Sequence, residues 1–217
     1  MNLACSYNML QQPSPIQFFR IKSTLFIVCL IPLARLALLG VTGGLGANPI
    51  EFITRSTGTW TLVFLLIVLS VTPLRRLLEM PWLLRLRRMF GLYAFFYALL
   101  HFLTYIWLDQ FFSPGDIVKD VIKRPFITIG FTSFMLLIPL AVTSTNAMIK
   151  RLGGKNWQQL HRFVYVIAVG GVVHYWWLVK KDVTQPQIYA AVLALLLGIR
   201  LVFLWRKHNA ATNNSKN

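Results

Sequence analysis

Hydrophobic residues in this chain are gathered into six long blocks, at about 23–43, 57–74, 90–108, 125–144, 160–179 and 187–205, separated by short polar connections. A helix needs roughly 20 apolar residues to cross the hydrocarbon layer, and each block is near that length. None alternates with the period of two that a barrel strand requires. The pattern predicts an all-α membrane protein, a six-transmembrane-helix bundle. The first block is followed by too much membrane sequence for a cleaved signal peptide and reads as a first span. The chain divides into a polar N-terminal segment, 1–20, a membrane domain, 21–206, and a polar tail, 207–217. The tail is short, so no appended nicotinamide or flavin domain is expected.

Charge orients the blocks. Fourteen cations fall on one set of connections: Arg20 and Lys22; Arg75, Arg76, Arg85, Arg87 and Arg88; Lys150, Arg151, Lys155 and Arg162; Arg206, Lys207 and Lys216. The alternate loops hold six, namely Arg55, Lys119, Lys123, Arg124, Lys180 and Lys181. The positive-inside rule then places both termini in the cytoplasm. All seven Trp lie near block ends, as an interfacial belt requires.

Composition removes other classes. Among 217 residues, 13% are charged and 56% hydrophobic, and the mean hydropathy is +0.60. The net charge of +16 sits between apolar blocks rather than along one face, so a nucleic-acid partner is not expected. Cys5 and Cys29 are the two cysteines, too few for a disulfide framework or an iron–sulfur cluster, and no CxxCH is present. The six acids, Glu51, Glu79, Asp109, Asp116, Asp120 and Asp182, lie in loops or at block edges. Ion-coupled transporters usually hold a carboxylate inside the membrane, and this pattern argues against one.

Ionisable groups at membrane depth are the candidate chemistry: His101, His161, His174 and Arg35. His101 and His174 lie about 16 and 21 Å from the cytoplasmic ends of the third and fifth blocks, taking about 1.5 Å per residue. Two imidazoles at similar depth on different helices can bind a porphyrin iron from its two sides. Each alone is equally explained by a hydrogen bond to a neighbouring helix; the pair, in a bundle without interior carboxylates, favours haem. His161 precedes His174 by 13 residues, about 20 Å along one helix, an interval that can serve two stacked haems. The two rings would then stand about 140° apart around an ideal helix, so a bend is needed, and Gly170 and Gly171 offer the place. Arg87 and Arg88 stand where a histidine for an inner haem is expected, so a second haem would need another ligand or be five-coordinate. An interfacial histidine beside Arg162 is the plainer reading of His161, and His208 reads as solvated.

Arg35 lies two turns below the outer end of the first block. It either snorkels to the interface or pairs with a haem propionate. Gly91, Gly130, Ser133, Gly170 and Gly171 offer flat ground for a ring, or simply close helix packing. The basic inner loops fit the ordinary positive-inside pattern, with part available for a flavin phosphate or an acidic redox partner. Neither GxGxxG after a strand nor GxxxxGK[ST] occurs.

Four runs, GGLGANP at 43–49, LLRLRRMFGLYAFFYALLH at 83–101, TSTNAM at 143–148 and GKNWQQLHRFVYVIA with VVHYWW at 154–177, resemble the MsrQ family. These are the haem-binding membrane subunits of the bacterial methionine-sulfoxide reductase system MsrPQ, within the ferric-reductase-like transmembrane group. The likeness covers about residues 21–205. It implies a multi-pass protein of the bacterial inner membrane with b-type haem, and flavin mononucleotide (FMN) as a further cofactor. It implies as partner the periplasmic molybdopterin subunit MsrP, which reduces methionine sulfoxide in envelope proteins. The family's haem histidines carry over onto His101, His161 and His174. The wider group has two histidine pairs, and Arg87 and Arg88 depart from that pattern.

The expectation is a haem b electron carrier fed by a cytoplasmic flavin reductase or the quinone pool, with substrate reduction left to the partner. One haem, held by His101 and His174, is expected, with a second as an open possibility. The alternative is a six-helix solute carrier or channel without a redox cofactor.

Overall fold

The computed structural model describes residues 12–179 and 181–214. Cys5, Lys180 and Lys216, and the side chains of Lys207 and His208, lie outside the described residues. Among the described residues nine α-helices follow one another: α1 Pro15–Val41, α2 Pro49–Leu77, α3 Arg87–Thr104, α4 Pro114–Lys123, α5 Pro125–Val142, α6 Asn146–Leu152, α7 Gly154–Leu160, α8 Phe163–Leu178 and α9 Thr184–Asn214. A 3₁₀ turn at Pro81–Arg85 leads into α3, and a π-helical turn at Tyr105–Asp109 follows it. Among the described residues there is no strand.

The helix starts are written locally. Proline opens α1, α2, α4 and α5, where its missing N–H costs nothing and its fixed φ already suits a helix. Ser14 and Gln17 close a reciprocal capping box on α1, and Asn48 accepts from the Glu51 N–H at α2. Gly153, at φ +76, makes the corner between α6 and α7, a backbone region open to glycine at no steric cost.

Among the described residues five segments are long and apolar enough to cross a membrane: Pro15–Val41, Pro49–Leu77, Pro81–Asp109, Pro125–Val142 and Thr184–Arg206. The fifth apolar block, 160–179, does not yield a helix of that length. It breaks at His161 and Arg162, and α8 keeps 16 residues, about 24 Å at the α-helical rise.

The centre is built from two helix pairs. α2 packs most extensively on α3, and α5 on α8, with smaller contacts between the pairs. Leu69, Tyr97 and Ala168 are buried at the pair interfaces. By contrast α1 exposes Phe26, Ile27, Ile31 and Leu38, as a lipid-facing helix does. It is tied on by polar bonds: the Tyr93 and Tyr97 hydroxyls donate to the Phe26 and Cys29 carbonyls at 2.7 and 2.8 Å. α9 is tied by Arg200. Pro73 has no N–H for the Leu69 carbonyl one turn back, and Arg200 Nη2 donates to that oxygen at 2.7 Å while Nη1 donates to the Tyr165 hydroxyl.

Candidate functional site

His101 stands on α3 and His174 on α8, one from each helix pair, and their ring centres are 6.1 Å apart with planes at 75°. Each ring has one nitrogen committed. His101 Nδ1 lies 2.9 Å from the Thr54 carbonyl on α2, and His174 Nδ1 lies 2.7 Å from the Phe126 carbonyl on α5. A carbonyl can only accept, so each Nδ1 carries the proton and each Nε2 is left with a free lone pair. A second layer steadies His101: Thr104 Oγ1 donates to the His101 carbonyl at 2.8 Å, and Thr54 Oγ1 donates to Thr104 Oγ1 at 3.3 Å. Immediately beyond comes the π-helical turn, a local irregularity frequent at functional sites.

The ring separation fits a metal held between two imidazoles. Two metal–nitrogen bonds of about 2.0 Å, plus ~1.1 Å from each nitrogen to its ring centre, separate collinear rings by ~6.2 Å. The observed 6.1 Å matches. A carbonyl on the far nitrogen is the usual support of a ligating histidine, fixing tautomer and ring orientation. Neutral nitrogen ligands without thiolates suit haem iron. No cluster of three or more His, Cys, Asp or Glu that could hold a bare metal ion occurs among the described residues.

His161 is placed differently. It caps the C-terminus of α7 rather than lying on one continuous helix with His174, so the helix that was expected to bend at Gly170 and Gly171 is interrupted earlier. Those glycines serve packing: Gly170 lies against Ser133 and Gly171 against Leu62. The Thr143 hydroxyl donates to the Pro139 carbonyl at 2.6 Å and accepts from His161 Nε2 at 3.1 Å. His161 therefore keeps its proton on Nε2, the reverse of the other two. Its ring stacks on Trp157 at 3.9 Å, whose Nε1 donates to the Thr143 carbonyl at 2.8 Å. Burial first, then the Arg87 and Arg88 cations, push the His161 imidazole down to about 4, so it is neutral at pH 7. Arg88 Nη1 donates to Asn146 Oδ1 at 2.7 Å, which joins the LRLRRMF and TSTNAM stretches at one end of the bundle.

Arg35 is exposed on α1 and lines a groove of about 260 Å³ with Val28, Cys29, Ile31, Pro32, Trp60 and Phe64. Neither histidine lines this groove. Gly91 faces open space, whereas Gly130 meets the His174 ring rather than a free surface. Sequence reasoning passed over Thr54, Gly58, Thr104 and Phe126. All four act through a carbonyl, a hydroxyl or an absent side chain, and only a helix register could have pointed to them.

Comparison with known proteins gives the family of the chain. The family model for the ferric reductase like transmembrane component matches residues 52–172. A relative from Herminiimonas arsenicoxydans is 60% identical over 91% of this chain and 91% of its own length. One from Ralstonia nicotianae is 56% identical over 86% of this chain and 87% of its own. One from Bordetella pertussis is 53% identical over 88% and 94%. Each of the three is named protein-methionine-sulfoxide reductase heme-binding subunit MsrQ.

Proposed function

The chain belongs to the ferric-reductase-like transmembrane family and, within it, to the MsrQ subunits, and from that premise we propose that it is a haem b electron carrier of the bacterial inner membrane. It accepts electrons on the cytoplasmic side or from the quinone pool and delivers them to the periplasmic methionine-sulfoxide reductase subunit MsrP. The relatives' names support the haem and the methionine-sulfoxide system. In this reading α8 is the sixth crossing and both termini are cytoplasmic, in keeping with the cation count of the loops.

His101 and His174 would hold the iron through their Nε2 atoms. When bound, haem would supply a one-electron Fe(III)/Fe(II) couple. The chain's own residues do the rest. Thr54 and Phe126 carbonyls keep each ring in one tautomer and one orientation, and the apolar helices exclude water. At the opposite end His161, Arg87 and Arg88 form a basic cofactor contact suited to the carboxylates of a second haem or the phosphate of FMN. Arg35, facing its groove, is a contact for a propionate at the outer level.

The observation that carries the reading is the 6.1 Å separation of two rings whose outward nitrogens are both committed. The test is haem content by the pyridine haemochromogen method in purified wild type, His101→Ala and His174→Ala. About one or more haem per wild-type chain and none retained by either variant is the expected result. Undiminished haem in both variants would contradict it.

A further inference from the structure

The two histidines are seated by the same three-part device, used twice. His101 bonds the carbonyl of Thr54, and the residue four positions on, across the helical turn, is Gly58. His174 bonds the carbonyl of Phe126, and the residue four positions on is Gly130. In a helix that carbonyl already points at the N–H of the residue four ahead. An imidazole can share it, since the oxygen has two lone pairs, only by coming in over the position that the later side chain occupies. A methyl at Gly58 would lie 3.0 Å from His101 Cε1 and 3.1 Å from Nδ1. A methyl at Gly130 would lie 2.7 Å from His174 Nδ1 and 2.9 Å from Cε1.

We propose that Gly58 and Gly130 are positioning residues of the redox centre, each admitting an imidazole to the carbonyl one turn back and so fixing which nitrogen faces the iron. The proposal rests on the reading that His101 and His174 hold haem. The absent side chains are not there for helix contact alone: Gly170 meets a side chain of the neighbouring helix, while Gly58 and Gly130 meet the rings. The device is unequal on its two sides. At Gly58 a methyl asks His101 to give by a few tenths of an ångström, whereas at Gly130 it comes closer than side chains pack and His174 must shift. A carbonyl on Nδ1 makes the imidazole a stronger donor to the metal, which favours the ferric state. Losing that bond raises the reduction potential.

The experiment compares purified, detergent-solubilised Gly58→Ala, Gly130→Ala and Gly91→Ala by haem per chain, ferric low-spin EPR and redox titration, with His101→Ala and His174→Ala alongside. Gly91→Ala, whose methyl meets nothing within 4 Å, is expected to match wild type. Gly58→Ala is expected to keep its haem within twofold but with a raised midpoint potential and shifted EPR g-values. Gly130→Ala is expected to lose at least threefold in haem per chain. If Gly130→Ala does not fold, the His174→Gly background removes the clash. There, imidazole added to the buffer restores the low-spin signal, and adding Gly130→Ala should weaken its apparent affinity at least fivefold. Wild-type haem content, potential and EPR in both Gly58→Ala and Gly130→Ala, or equal imidazole affinity in the two His174→Gly backgrounds, overturns the proposal. Full haem in His101→Ala and His174→Ala instead overturns the ligand reading, and the glycine proposal falls with it.

Discussion

The two ends of the bundle hold histidines in opposite ways. In the His101–His174 pair both Nδ1 atoms are bonded to carbonyls and both Nε2 atoms are free, with the rings 6.1 Å apart. At the other end a single ring, His161, has its Nε2 given to Thr143, a face given to Trp157, and arginines as neighbours. The first arrangement leaves one ring nitrogen unengaged on each of two helices. The second is closed on itself and cationic around. The difference teaches that depth and residue type do not make a ligand pair; what matters is which nitrogen the surroundings leave over.

The sharpest way to break this contrast is to remove each histidine in turn. His101→Ala or His174→Ala should lower reducible haem per chain more than tenfold, read from the dithionite-reduced minus oxidised spectrum. His161→Ala should cost no more than half the haem and leave the spectrum of the remaining centre unchanged; loss of all haem there would erase the distinction. Smaller effects test the scaffold that separates the ends. Arg200→Met leaves the Leu69 carbonyl without a donor and should cost about 2 kcal/mol, a fall of roughly 4–8 °C in the thermal midpoint for a chain of this size. An unchanged midpoint would mean that Arg200 does not support the Pro73 turn. Thr104→Val removes one bond to the His101 backbone inside the bundle and should cost about 0.6 kcal/mol, roughly 2 °C, while leaving haem content intact.

Much of this was legible in the chain. The apolar blocks gave five of the crossings directly, because length and hydropathy are one-dimensional properties. The fifth block was read too long: Leu160 joins it, but Trp157 and His161 both bond Thr143 and the helix breaks at His161 and Arg162. His101 and His174 were paired from similar depth, the lack of interior carboxylates and the family likeness, and their rings stand 6.1 Å apart. Their carbonyl partners were not legible, since a backbone oxygen has no letter in the sequence, and Gly58 was lost among ordinary small residues. Gly170 and Gly171 were assigned a bend that the chain makes at His161 instead. Arg200 lies inside the last apolar block, where the sequence shows only a cation. Its task depends on a proline 127 positions earlier in the chain, a relation that only the folded helices disclose.

The central claim is that two imidazoles, from α3 and α8, share one iron. Low-temperature EPR of the oxidised, purified chain tests it most directly, because a bis-imidazole ferric haem is low-spin with g-values set by its two ligands. We expect that signal in wild type and in His161→Ala, and its disappearance from both His101→Ala and His174→Ala. The same low-spin signal surviving in either of those last two would contradict the account.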